Sequence, residues 1–83
     1  MASSGRIRLR DIREALDGCL PGCRWENGQH RWHVYPPNGK PAFYLPKGQH
    51  GSGDRAEIER GHIKKMARQF DVLDEMKERL QGL

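Results

Sequence analysis

With 83 residues the chain has room for one domain, residues 1–83, and for a core that buries only roughly 60–65% of the unfolded surface. No stretch approaches the ~20 apolar residues of a membrane-spanning helix, and no apolar run follows the opening Met-Ala-Ser-Ser, so neither a membrane span nor a secretory signal is expected. Lys and Arg outnumber Asp and Glu by 15 to 11, a net charge of +4, which favours a polyanion or an acidic protein as partner.

In chain order, residues 1–6 are expected to be flexible. Ile12, Ala15, Leu16, Cys19 and Leu20 recur at three- and four-residue steps and predict an amphipathic helix over residues 9–17, with Gly18 placed to end it. Pro21-Gly22 is a turn. Three short strands follow, at residues 23–26, 30–35 and 42–45, joined through the hairpin signals Asn27-Gly28 and Asn38-Gly39. Strands in this order make an antiparallel meander. Alternation puts His30, Trp32 and Val34 on one face of the second strand and Arg31, His33 and Tyr35 on the other. Pro46 ends the third strand, and a Gly-rich loop runs to Asp54. Asp54 reads as a helix N-cap, with Glu57 completing a capping box. Ile58, Ile63, Met66 and Phe70 mark the apolar stripe of that helix. Asp71 is expected to cap a short further helix whose apolar face is Val72, Leu73, Met76 and Leu80. The reading is an α+β domain of order α-β-β-β-α. Helices cover one face of its three-stranded antiparallel sheet, and residues 71–83 form a C-terminal helical extension.

His30 is the leading candidate for chemistry. An imidazole gives or takes a proton near neutral pH, and a strand would hold it on a rigid element. Gly28 and Gln29 form the bend before it. His33 and His50 are possible additional groups, and His62 follows Gly61 on the second helix. Cys19, Cys23, His30 and His33 are also a ligand set of the kind zinc takes, although Cys23 and His30 stand closer together than in a zinc finger. In a reducing cytoplasm the same thiols stay free. Arg24, Arg31, Lys40, Lys47, Lys64, Lys65 and Arg68 supply positive charge, and the last three share one side of a helix. Trp25, Trp32, Tyr35, Phe43 and Tyr44 lie on the strands, where aromatic rings either fill a small core or stack on unpaired bases.

The element order, the Gly28-Gln29-His30 bend and the Pro37-Asn38-Gly39 hairpin together resemble the HicA family. So do Leu45-Pro46 with a following His50, and Gly61-His62-Ile63-Lys64-Lys65-Met66 before Arg68-Gln69. HicA proteins are the toxins of HicA–HicB toxin–antitoxin pairs. The resemblance covers about residues 9–80. It implies a fold like the double-stranded-RNA-binding domain and metal-independent cleavage of mRNA with no cofactor, carried by the histidine of a Gly-Ser-His motif. It also implies a HicB-like antitoxin as partner. His30 keeps the catalytic position. Gln29 stands where the family usually has Ser, and Arg31 where a second His is common.

The expectation is therefore a cytoplasmic mRNA-cleaving toxin in which His30 is the general acid/base and the basic residues hold the RNA backbone. Two alternatives stay open: an RNA-binding module without catalysis, and a protein–protein adaptor using the C-terminal helix.

Overall fold

A computed structural model describes residues 5–47 and 55–83. In chain order the elements are β1 (Arg6–Arg8), α1 (Leu9–Cys19), β2 (Arg24–Asn27), β3 (Arg31–Tyr35), β4 (Phe43–Pro46), β5 (Glu57–Glu59), α2 (Arg60–Gln69) and α3 (Leu73–Arg79). The fold is α+β. The expected meander is present as a three-stranded antiparallel sheet in the order β2-β3-β4, and a second sheet pairs β1 with β5.

This second sheet is the main correction to the sequence reading. β1 and β5 run antiparallel with Ile7 opposite Ile58, so Arg6, expected in a flexible end, lies in a ladder. Each strand passes directly into a helix. The junction residues Arg8 and Glu59 adopt nearly the same extended conformation, φ/ψ −65/139° and −66/138°. The ladder continues past both junctions: the Leu9 N–H donates to the Ala56 carbonyl at 2.8 Å, and the Arg60 N–H donates to the Gly5 carbonyl at 2.5 Å. A helix start leaves backbone donors that a capping side chain normally satisfies. Here the opposing strand satisfies one at each helix, and neither helix has a side-chain cap. The expected capping box is therefore absent: Glu57 is a strand residue, and α2 begins at Arg60. Asp54 and His50 lie outside the described residues.

Other boundaries move for local reasons. Gly18 does not end α1, which runs on to Cys19. A Cβ at Gly18 would meet the far end of the exposed Arg79 side chain, a flexible group that can swing aside. Asp71 does not cap α3: it takes a left-handed conformation, φ 64°, and Val72 precedes the helix. β2 and β4 each start one residue later than expected, with Pro46 the last residue of β4. β3 starts at Arg31, leaving His30 just ahead of it.

The core lies between the helices and one face of the meander. Leu9, Ile12, Leu16, Val34, Leu45, Ile58, Ile63, Met66, Phe70 and Met76 are fully buried, and Trp25, Trp32 and Phe43 pack against them at their edges. At α2 the buried Ile63, Met66 and Ala67 form one side of the helix, the spacing that faces it to a core. Val72, Met76 and Leu80 do the same for the C-terminal turns. No described polar or charged residue is fully buried. The β3–β4 connection is tied down at the end of α2. The Gln69 amide donates to the Pro41 and Ala42 carbonyls at 2.9 and 3.0 Å, and the Asn38 amide donates to the Phe70 carbonyl at 3.2 Å.

Candidate functional site

Cross-strand pairing decides which predicted site residues meet. Trp25 pairs with Val34, Asn27 with Trp32, Trp32 with Leu45 and Val34 with Phe43. Residues opposite one another in an antiparallel ladder share a face. This set therefore faces the helices, while Arg24, Glu26, Arg31, His33, Tyr35 and Tyr44 share the open face.

His30 continues the β3 register one step beyond the strand. Its carbonyl accepts the Lys47 N–H at 3.2 Å, which makes Lys47 its cross-strand neighbour. The Lys47 ammonium sits 4.7 Å from the centroid of the Trp32 ring and donates to Asn27 Oδ1. An ammonium over an indole face is attracted by the ring quadrupole. Asn27, Trp32 and Lys47 thus form a clamp at the end of the ladder, with His30 beside it. The His30 side chain is exposed, with no hydrogen bond or ion pair among the described residues. The Trp32 indole N–H is buried without an acceptor among them. An unmet buried donor costs about 1–3 kcal/mol. This corner therefore offers a proton-transfer group beside a fixed positive charge. The sequence reading named His30 and Lys47 but not Asn27 or Trp32. The Asn27-Gly28 signal put Asn27 in the turn; it is instead the last residue of β2, opposite Trp32, and the bend falls at Gln29 and His30, while the His30–Lys47 pairing depends on a longer connection.

Gly28 occupies the inside of the bend. Its N–H donates to the Arg31 carbonyl at 3.0 Å. A Cβ there would lie 2.7 Å from that carbonyl oxygen and 2.7 Å from His33 Nε2. The glycine is needed for close approach, and the ring it admits is His33, not His30. His33 packs edge-to-face on Tyr44, with centroids 4.9 Å apart and planes at 81°. Gln29 is exposed in the bend.

The basic residues do not form one surface around His30. Arg31 is exposed beside His33 on the open face. Arg24 is at the far end of the sheet, roughly 13 Å along at about 3.3 Å per strand residue. There it pairs with Glu26 at 3.0 Å and lies over the Tyr35 ring at 4.5 Å. The Tyr35 hydroxyl donates to Glu26 at 3.2 Å. Partial burial and that hydrogen bond hold it above its ordinary pKa. Lys40 is exposed in the β3–β4 connection, the segment pinned to the end of α2. Lys64, Lys65 and Arg68 line the outer side of α2, with Lys64 half-buried. His62 is half-buried on the same helix, 4.0 Å from Glu59.

The four candidate zinc ligands do not converge. His30 and His33 leave the ladder on opposite sides, and no group of three or more His, Cys, Asp or Glu among the described residues is arranged to hold a metal ion. Both cysteines are free thiols. Cys23 donates to the Leu20 carbonyl at 3.4 Å, and burial, with Asp17 nearby, pushes its pKa up to about 11. Burial also raises Cys19, against the opposing pull of Arg79. An open cleft of about 540 Å³ lies between β1, α1 and the C-terminal turns. It is lined by Ile7, Asp11, Glu14, Ala15, Arg79, Leu80 and Gln81 and contains none of the predicted site residues. Among the described residues no helix is long and apolar enough to cross a membrane. No family model, no curated protein and no solved structure matches the chain.

Proposed function

We propose that this protein is a small endoribonuclease of toxin–antitoxin type that cleaves mRNA in the cytoplasm without a metal ion, as its resemblance to the HicA family implies. One observation carries the reading: His30 stands exposed at the head of β3, directly across the ladder from a lysine clamped by Asn27 and Trp32. Cleavage of RNA at its own 2′-hydroxyl needs a base for that hydroxyl and an acid for the departing 5′-oxygen. His30 takes one of these roles, or both in turn through water. Lys47 offsets the charge that builds on the phosphorus oxygens. The outer side of α2, with Lys64, Lys65 and Arg68, holds the RNA backbone without reading sequence. A HicB-like antitoxin with an acidic surface would inhibit by covering the His30–Lys47 corner, its association steered by the +4 charge.

The test is purified protein on a long transcript with chelator present. Wild type is expected to cleave, and His30→Ala to lose about 10²–10⁴-fold in rate, the usual contribution of a positioned acid/base. No cleavage by wild type, or equal cleavage by His30→Ala, would sink the reading. A second reading, RNA binding without cleavage, is favoured by the lack of a described group that hydrogen-bonds and orients the His30 imidazole. It predicts RNA affinity that His30→Ala leaves unchanged.

A further inference from the structure

We propose that the open face of the β2-β3-β4 sheet is a stacking platform for the unpaired bases of single-stranded RNA, centred on Tyr44 and His33. This goes beyond the reading above: it rests on RNA being the partner and not on cleavage by His30.

Tyr44 is the exposed large hydrophobic side chain among the described residues, at 50% exposure, and it lies on a sheet face that no helix covers. Its ring is not loose. His33 meets it edge-to-face at 4.9 Å, and the His33 ring is itself seated against the Gly28 backbone. A ring held at a fixed tilt loses little freedom when a base settles on it. The second unit is Arg24 over Tyr35, a planar cation on an aromatic face, with Glu26 holding both. Bases stack on guanidinium planes as well as on aromatic rings. Arg31, exposed on the same face two residues from His33, supplies charge for a phosphate. The two stacking units are two residues apart along β3, about 7 Å at roughly 3.3 Å per residue, a span that neighbouring nucleotides of a single strand can bridge.

The chemistry selects single strands. A duplex presents phosphates and groove edges, whereas base faces become available only where bases are unpaired. Aromatic platforms combined with cationic groups bind single strands with little sequence preference, because every base has a π-face. The net charge of +4 matches a polyanion.

The experiment uses full-length wild-type protein and a fluorescein-labelled 2′-O-methyl 12-mer, single-stranded or annealed to its complement, with affinity read by anisotropy across a salt series. This oligonucleotide lacks the 2′-hydroxyl nucleophile, so the result is independent of cleavage by His30. Wild type is expected to prefer the single strand. Tyr44→Ala is expected to weaken that binding by roughly 5- to 100-fold, the range for losing one base stack, with Tyr44→Phe close to wild type. Arg31→Gln is expected to make the salt dependence shallower by about one phosphate contact, ~0.7 in log–log slope. Circular dichroism checks that each variant is folded. The proposal is overturned if folded Tyr44→Ala binds as wild type does, if the duplex binds as tightly as the single strand, or if neither binds at low salt.

Discussion

The two faces of the meander sheet are built from alternate residues of the same strands and have opposite characters. One carries Trp25, Trp32, Val34, Phe43 and Leu45 against the helices, with Val34 and Leu45 fully buried. The other carries Arg24, Glu26, His33, Tyr35 and Tyr44, bound to one another by an ion pair, a hydrogen bond and ring contacts. Among the described residues of the sheet and its ends, the polar ones on the covered side stand where the ladder ends, at Asn27, Lys47 and His30. His30 and His33 are three positions apart, an odd step, so the pleat sends them to opposite sides. They cannot serve one phosphate as an acid–base pair. If His30 cleaves RNA, its helper is Lys47, and His33 belongs to a different surface.

The comparison breaks most visibly in the core. Leu45→Ala is expected to cost about 2–5 kcal/mol in urea unfolding, as a fully buried leucine does when truncated. Its neighbour Tyr44→Ala is expected to cost less, about 0.5–1.5 kcal/mol, the worth of its edge-to-face pair with His33, because half of that side chain is already in water. Similar losses at the two positions would mean that the open face is covered.

Gly28→Ala probes the corner where the faces meet, and about 1–3 kcal/mol of destabilisation is expected from the forced overpacking. Adding His33→Ala should recover only part of it, since the Arg31 carbonyl is as close to the new methyl group as the imidazole is. Full recovery would show that the ring alone demands the glycine.

The smallest effect is at Cys23, which is half-buried and packed against the core. Burial and the nearby Asp17 hold its folded pKa at about 11, above the ordinary thiol value of 9.0. Below pH 9 both folded and unfolded chains keep the proton, and this thiol adds no pH dependence. Between pH 9 and 11 the unfolded chain releases it first, so stability falls as pH rises. Iodoacetamide labelling of folded protein is expected to be slow at pH 8 and to accelerate toward pH 11. Rapid labelling of Cys23 at pH 8 would place the thiol in water.

Much of the meander was legible because its signals are local. Asn38-Gly39 marks the β3–β4 connection, and alternation alone sorts Trp32 from His33, whereas Asn27 lies in β2 and the β2–β3 bend falls two residues later, at Gln29 and His30. The helices were legible from their apolar spacing, the start of α1 at Leu9 included, but the end of α1 and the starts of α2 and α3 were not. β1 and β5 were not: three residues with a single isoleucine in the middle, half-buried at Ile7 and buried at Ile58, carry no readable period. For the same reason a capping box was expected where a ladder hydrogen bond does that work. Of the candidate site, His30 and Lys47 were legible as residue types. Their adjacency was not, and neither was the scattering of the basic residues over several surfaces.

The sequence by itself determined an α+β domain with a hairpin-ordered sheet, an amphipathic first helix and two histidines on opposite strand faces, since propensity, period and turn chemistry act within a few residues. Only the tertiary structure decided that the segments before the two main helices pair with each other, that Lys47 lies beside His30 over Trp32, and that Tyr44 stays uncovered. Those outcomes depend on contacts between distant parts of the chain, whose register is set by how the whole core packs.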